Sequence, residues 1–378
     1  MQHARLSPSS SARWLTCTAS IKACEGYEDT TNSASEWGTA AHAIGEDVLC
    51  GNHTIKQYKV GSIVEGVVVD KDMLSAVDEY VLYVKGLCNE ESTLLVEEQF
   101  DLSYIAPETF GTSDATVLDD THLHIVDLKT GHNIVYAKEN TQLMLYAAGA
   151  IMSPHFQDEW IDDVTLHIHQ GRIGHVDTWT VSIEDLHTFI EIARVKAADI
   201  INETTCFYPE EKACQYCPHK PNCKALADFV MDTVTGQFDD LEDINGKADD
   251  VPNDHVLKIL DNEGLITSFI KAVKEKALED LMAGKPINGY KLVRSTKHKQ
   301  WVEPEEAEKY LVRKLKVSGA YKRTLITPTQ AIKAIGKSGE AQLKKLFIVP
   351  EGDPIIVPNT DKRPPINNMV EEFDELEG

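Results

Sequence analysis

The chain has 378 residues, 42% of them hydrophobic and 26% charged, with a formal net charge of −24. This length holds roughly two or three domains at ~150 residues each, and the composition is that of a globular protein with cores of its own. The acidity excludes a simple nucleic-acid-coating protein, which is normally basic. The longest nearly uninterrupted apolar stretch, 144–152, is too short for a bilayer, and eight irregularly spaced cysteines point to metal chemistry or packing instead of a disulfide framework.

The N-terminal segment MQHARLSPSSSARWLTC carries Cys17 and lacks the apolar core of a secretory signal, so a cytoplasmic location is expected. A helix begins near Ser35 and contains His42 and Glu46. Residues 70–86 form a second amphipathic helix, with Leu74, Val77, Val81, Leu82 and Val84 on its apolar side. Three strands follow at 93–100, 114–118 and 122–129, the last two joined by the turn Asp119-Asp120-Thr121. A helix spans 139–151, a hairpin pairs 164–169 with 175–181, and a helix covers 183–201. This order predicts a mixed α/β fold, a central mixed β-sheet flanked by helices, over a first domain at 1–230.

Residues 231–285 read as a linker (232–254, with few apolar anchors) and a helical stretch (256–283). A smaller α+β C-terminal module is expected at 286–348, with a hairpin at 290–302 and helices at 304–316 and 327–336. It is basic: 286–346 holds 14 Lys+Arg against 5 Asp+Glu. Residues 349–378 are Pro-rich and extended, ending in five acids around Phe373 and Leu376. That tail is read as a dock for a recombination or single-strand-binding partner or as a competitor of DNA, against plain solvation.

The chemistry concentrates between Gly38 and Tyr146. Asp127 and Lys129 lie two apart on a strand, so their side chains share a face and set an acid ligand beside an ammonium. Asp114, on the neighbouring strand, can reach the same divalent ion, and the backbone carbonyl of Leu128 is a further ligand. The competing reading is a surface ion pair, and the triplet Glu210-x-Lys212 shows that Asp/Glu-x-Lys alone is unspecific. His42 is either a ligand or an ordinary helix histidine; Glu46, one turn on, reads as a solvated carboxylate. Gln142 and Tyr146, four apart on a helix, can hydrogen-bond a phosphate or Lys129, or simply pack.

In order, GTAAH, GTSD, DLKTG and QLMLY resemble the four motifs of the PD-(D/E)XK nuclease superfamily, in its RecB-like branch, over roughly residues 36–150. The resemblance implies a restriction-endonuclease-like core and a Mg²⁺- or Mn²⁺-dependent deoxyribonuclease acting on DNA. His42, Asp114, Asp127 and the Leu128 carbonyl would be metal ligands, with Asp114, Asp127 and Lys129 catalytic and Gln142 and Tyr146 on the DNA side. Cys17 ahead of the motifs and Cys214-x2-Cys217-x5-Cys223 after them resemble the AddB-type and CRISPR-associated nucleases, which implies a [4Fe–4S] staple across the domain. Zn²⁺, with Cys206 or His219 substituting, is the rival for these thiols. Cys24, Cys50 and Cys88 are expected to be buried packing residues.

No Walker A pattern occurs, so ATP-driven unwinding is not expected. The likeness is to stand-alone phage or prophage exonucleases, which would place the protein in a host cytoplasm. An endonuclease, a flap-processing enzyme and a non-catalytic DNA-binding module on the same scaffold are the alternatives.

Overall fold

The computed structural model describes residues 4–27, 33–156, 160–235 and 253–291, with Lys309, Val312 and Arg313 beyond them, and the chain divides into two compact units, Met1–Val293 and Arg294–Gly378. The elements expected between 290 and 348, the Pro-rich segment and the acidic tail lie outside the described residues, save Tyr290, Lys291 and helical backbone at Lys309, Val312 and Arg313.

The first unit opens with α1 (Ser11–Thr16) and α2 (Ser20–Ala23), followed by α3 (Ser33–Leu49), a small hairpin of β1 (Ile63–Val64) and β2 (Val67–Val68), and α4 (Lys71–Gly86). Next come β3 (Thr93–Asp101), β4 (Phe110–Asp119), β5 (His122–Leu128), α5 (Thr141–Ile151), β6 (Asp163–Gln170), β7 (His175–Ser182) and α6 (Ile183–Ile201). The unit finishes with α7 (Glu211–Cys214), α8 (Lys224–Thr235), α9 (Asn253–Asp261) and α10 (Glu263–Met282).

The main sheet has five strands in the order β3-β4-β5-β6-β7. All neighbours are antiparallel except β5 and β6, which run parallel, with α5 as the crossover that a parallel pair needs. On β5, Leu123 and Ile125 enter the core shared with α5 and α6, whereas Val126 and Leu128 enter the core shared with α3 and α4. The sheet is thus a mixed sheet with helices on both faces, as expected from the order of elements.

Local chemistry sets the helix starts. The Asp70 carboxylate accepts the Met73 N–H at 2.7 Å, and Asn140 and Ser182 cap α5 and α6 in the same way. Met73, Val77, Val81 and Val84 fall on one side of α4 and are buried, each contributing about 1.5–3 kcal/mol of burial. Helix α5 is apolar nearly all round because the sheet lies on one side and α6 with the N-terminal segment on the other. Gly111 permits that closeness: a Cβ there would meet Pro8 Cγ at 2.5 Å and the Tyr146 ring at 2.9 Å.

Three expectations are corrected. Leu82, expected on the apolar side of α4, is exposed and lies off the packed side of its helix. Asp114 does not open its strand but sits in the middle of β4, since Gly111-Thr112-Ser113 continues the ladder against Phe100, Gln99 and Glu98. The stretch 256–283 is two helices broken at Asn262. Leu265 and Ile266 of α10 are buried against Cys214, Leu226 and Val230, so the helical part of 231–285 belongs to the first unit. Among the described residues no helix is long and apolar enough to cross a membrane.

Candidate metal centre and cysteine cavity

Four elements, α3, β3, β4 and β5, deliver side chains to one point. Helix α3 approaches closely because Gly38 has no side chain: a Cβ there would lie 2.8 Å from Thr130 Oγ1. One turn later His42 points its Nδ1 at Asp114 Oδ1 (3.4 Å) and Glu97 Oε1 (3.8 Å). One ligand atom from each of His42, Glu97 and Asp114 falls within 4.8 Å of the other two, a set able to hold a metal ion. Asp127 belongs to the same charge cluster, because Asp114 anchors beside it: the Leu128 N–H donates to Asp114 Oδ2 at 2.6 Å.

Glu97 is the residue that sequence reasoning missed. It adopts a left-handed conformation (φ 48°) inside β3, between the bridged pairs Val96↔Ala115 and Glu98↔Ser113. A glutamate rarely occupies that region, and such strain collects where structure serves a site. The available signal was the pair Glu97-Glu98 directly after the apolar run Leu94-Leu95-Val96, since neighbours on a strand cannot both face solvent.

The electrostatics are those of a charge-dense, half-enclosed cluster. Burial alone would lower the His42 imidazole, but Asp114, with Glu97 and Asp127, outweighs it and holds it well above its ordinary value. Burial raises Asp127 to about 6, with Asp114 adding to the rise and Lys129 opposing it. Asp114 faces the same burial cost, yet His42 and Lys129 bring its carboxyl below the usual range. Burial, with Asp114 adding, pushes Glu97 up against His42. Lys129 is raised despite burial, by Asp127 and Asp114, and so is a firm cation.

Lys129 is tied into a short polar chain. Its Nζ lies 2.9 Å from Asp127 Oδ2 and donates to Gln142 Oε1 at 3.0 Å. The Gln142 amide in turn donates to Asp127 Oδ1 (3.2 Å) and to the Tyr146 hydroxyl (2.8 Å). Asp127 Oδ2 is buried and, although close to Lys129, has no partner in hydrogen-bonding geometry. The buried Asp127–Lys129 pair thus lies in the same cluster as two carboxylates and an imidazole whose ligand atoms could hold a metal ion. His42, Asp114, Asp127, Lys129, Gln142 and Tyr146 therefore come together, Leu128 takes part through its N–H, and Glu46 is exposed.

A second constellation lies between the N-terminal helices and the segment after α6. Cys17, Cys214, Cys217 and Cys223 line one cavity together with His219 and Lys220, and no carboxylate lines it. The Tyr208 N–H points at Cys17 Sγ (3.5 Å), while the Thr18 hydroxyl accepts the Cys206 N–H at 2.9 Å, so the two chain segments are stitched beside the thiols. Burial pushes the Cys17 and Cys214 thiols up, and each is raised further by Cys223. Cys24 is not a buried packing residue: it is half-buried with its Sγ 3.8 Å from Cys217 Sγ. Cys50 is exposed and Cys88 half-buried, because both sit at the C-terminal ends of amphipathic helices where the packed face runs out.

These features define a mixed α/β fold, a five-stranded sheet flanked by helices, carrying a carboxylate–imidazole–lysine cluster on β3, β4, β5 and α3, and a separate four-cysteine cavity. The chain belongs to the family described as "Protein of unknown function (DUF2800)", whose model matches residues 3–364. Among solved structures it is similar to the one described as "Crystal structure of SSO0001", at 13% identity over 56% of this chain and 95% of that chain, with a TM-score of 0.24. A likeness of that size bears on neither fold nor function.

Proposed function

We propose that this chain is a metal-dependent DNA nuclease, an exonuclease that hydrolyses phosphodiester bonds in recombination, repair or phage genome processing. The observation that carries the reading is the convergence of His42, Glu97 and Asp114 on one point, with the buried Asp127–Lys129 ion pair in the same charge cluster. In this reading His42, Glu97, Asp114 and Asp127 hold Mg²⁺ or Mn²⁺, with the Leu128 carbonyl as a further ligand. The bound ion supplies positive charge at the scissile phosphate and lowers the pKa of the attacking water.

The protein's own groups do the rest. Lys129, fixed between Asp127 and Gln142, has one N–H left to donate to the phosphate oxygen that gains charge. Gln142 sets the direction of that ammonium, and Tyr146 holds the amide in turn. Asp114 is kept from swinging away by the Leu128 N–H. Cys17, Cys214, Cys217 and Cys223, an all-sulfur set, fit a [4Fe–4S] cluster that pins the N-terminal helices to the 206–223 segment, with Zn²⁺ as the other metal such thiolates take. Such a cluster and free thiols suit a reducing, cytoplasmic setting.

The test is digestion of 5′- and 3′-labelled linear, circular, single- and double-stranded DNA with Mn²⁺ or Mg²⁺, beside Lys129→Ala. Metal-dependent release of short products from linear but not circular DNA is expected. Cleavage of circles would make the enzyme an endonuclease, and no product from any substrate would reject the reading.

A further inference from the structure

Cys217 has sulfur neighbours of two kinds. It lines the cavity with Cys17, Cys214 and Cys223, and its Sγ also lies 3.8 Å from that of Cys24, which does not line the cavity. Among the described residues this is the one sulfur–sulfur hydrogen bond. Cys24 sits at the C-terminal end of α2 and Cys217 in the turn after α7, 193 residues further on. The two segments are also held together beside the sulfurs. The Asn222 side-chain amide donates to the Tyr27 hydroxyl at 2.8 Å, and that hydroxyl lies 3.3 Å from His219 Nδ1.

Reach and access both favour this pair. A disulfide needs its sulfurs at about 2.05 Å, and thiols already in van der Waals contact cover the remaining gap by side-chain rotation and a small shift of the chain. Cys24 and Cys217 are half-buried and open to a small oxidant, whereas Cys17 and Cys214 are buried. Cys214 is the rival in sequence, three residues before Cys217, but it packs in the apolar cluster of Leu226, Val230 and Leu265, which limits an oxidant's approach.

We infer that Cys24 and Cys217 form a reversible disulfide, and that this bond and a filled cysteine cavity exclude each other, because Cys217 can give its sulfur to Cys24 or to a metal but not to both. The disulfide stands on the sulfur contact; the exclusion rests on the reading of Cys17, Cys214, Cys217 and Cys223 as metal ligands. As the S–S bond forms, the two thiols lose two protons and two electrons, and a peroxide takes them up as its O–O bond breaks to give two waters. A small dithiol reverses the bond by exchange. A disulfide of this kind in a reducing setting is transient. After metal loss it keeps α2 tied to the 214–223 segment and stores Cys217 in a form that a thiol restores, short of irreversible sulfinic acid.

The experiment strips the full chain of metal under reductant, treats it with equimolar hydrogen peroxide, alkylates the remaining thiols and maps the linked peptides by mass spectrometry without reduction. A peptide pair joined through Cys24 and Cys217 is expected as the main link, absent after dithiothreitol and absent in Cys24→Ser. The linked chain should bind Zn²⁺ at least roughly tenfold more weakly than the reduced chain, since losing a ligand costs no less than losing its hydrogen-bonded partner. Dithiothreitol should restore that affinity, and the reduced Cys24→Ser chain should bind Zn²⁺ like the unaltered one. No link, or another pair such as Cys214–Cys217 as the main link, overturns the disulfide. A linked chain that binds Zn²⁺ as well as the reduced one overturns the exclusion. If the reduced chain takes up neither zinc nor iron with sulfide, the metal reading fails and the exclusion with it, while a Cys24–Cys217 link still upholds the disulfide.

Discussion

The N–H of Leu128 donates to Oδ2 of Asp114 across the β4–β5 boundary at 2.6 Å. This bond turns one oxygen of Asp114 into a fixed hinge and leaves the other, Oδ1, facing His42 at 3.4 Å. Two strands and a helix are thereby locked into one charge cluster, and the residue that locks them lies between Asp127 and Lys129.

Removing the lysine tests the chemistry most directly. Lys129→Ala should lower the Mn²⁺-dependent rate of DNA hydrolysis about 10²- to 10³-fold, the usual range for loss of one donor to developing charge. Asp114→Ala should lower it at least as far. Far-ultraviolet circular dichroism of Lys129→Ala should stay at the native signal, because that side chain is partly exposed and lies just past the end of β5. Retention of full rate by either variant would mean that the cluster is an ion-pair network without a catalytic task.

Glu97 and Glu98 are adjacent yet should behave differently. Glu97 is drawn inward to His42, while Glu98 faces out to His155 Nε2 at 3.2 Å. Glu97→Gln should weaken Mn²⁺ binding by at least roughly tenfold, since even residues one step removed from a metal cost that much. Glu98→Gln should leave it alone. Calorimetric titration of both variants checks this, and equal affinities would remove Glu97 from the ligand set.

Most of this architecture was legible in the sequence, and the exceptions have physical causes. The helix at 183–201 matches α6 residue for residue, because its cap, spacing and length agree. Asp114 looked like a strand opening because Gly-Thr-Ser resembles a turn, but Gly111 is needed for the approach of Tyr146, and Thr112 and Ser113 pair well in a ladder. His42, Asp127, Lys129 and Gln142 could be named because motif order encodes them. Glu97 could not, because its role comes from a left-handed backbone and not from a spacing. Cys24 escaped for a similar reason, as its nearness to Cys217 spans 193 residues.

Metal binding should be proton-linked. In the metal-free protein His42 titrates above 6.5 and Asp127 near 6, so a cation must expel protons from both. Mn²⁺ affinity should rise from pH 5.5 to 8, with proton release detectable by calorimetry in buffers of different ionisation enthalpy. Stability of the metal-free protein runs the other way. His42, raised in the fold, stabilises fully below pH 6.5 and loses that contribution as pH rises through its folded value. Asp127, raised from 3.8, adds a loss between about pH 4 and 6. The Mn²⁺-induced rise in melting temperature should therefore be larger at pH 8 than at pH 5.5, and a pH-independent increment would contradict the assignment.

The cysteine cavity should hold iron. Protein purified without oxygen is expected to be brown, with iron and acid-labile sulfide in near-equal amounts. Cys217→Ser should lose the colour and melt earlier, whereas Cys24→Ser, which removes a neighbour and not an expected ligand, should keep both. Bound zinc with no visible absorbance would replace the cluster by a zinc site; loss of colour in Cys24→Ser would redraw the ligand set.

Gly111 offers a test of packing that is separate from ligand chemistry. A Cβ at this position would lie 2.5 Å from Pro8 Cγ and 2.9 Å from Tyr146 Cε1, so neither the N-terminal segment nor α5 can stay in place. Overpacking of this kind costs about 1–3 kcal/mol, and Gly111→Ala should lower the denaturant midpoint accordingly. Because Tyr146 holds Gln142 and Gln142 holds Lys129, the displacement should also reach the ammonium and lower turnover while Mn²⁺ affinity changes little. Gly86→Ala at the end of α4, where a Cβ meets nothing within 4 Å, is the matched control and should be neutral or slightly stabilising. If Gly111→Ala keeps native stability and turnover, the strand and helix can separate freely, and the Tyr146–Gln142–Lys129 chain does not depend on their spacing.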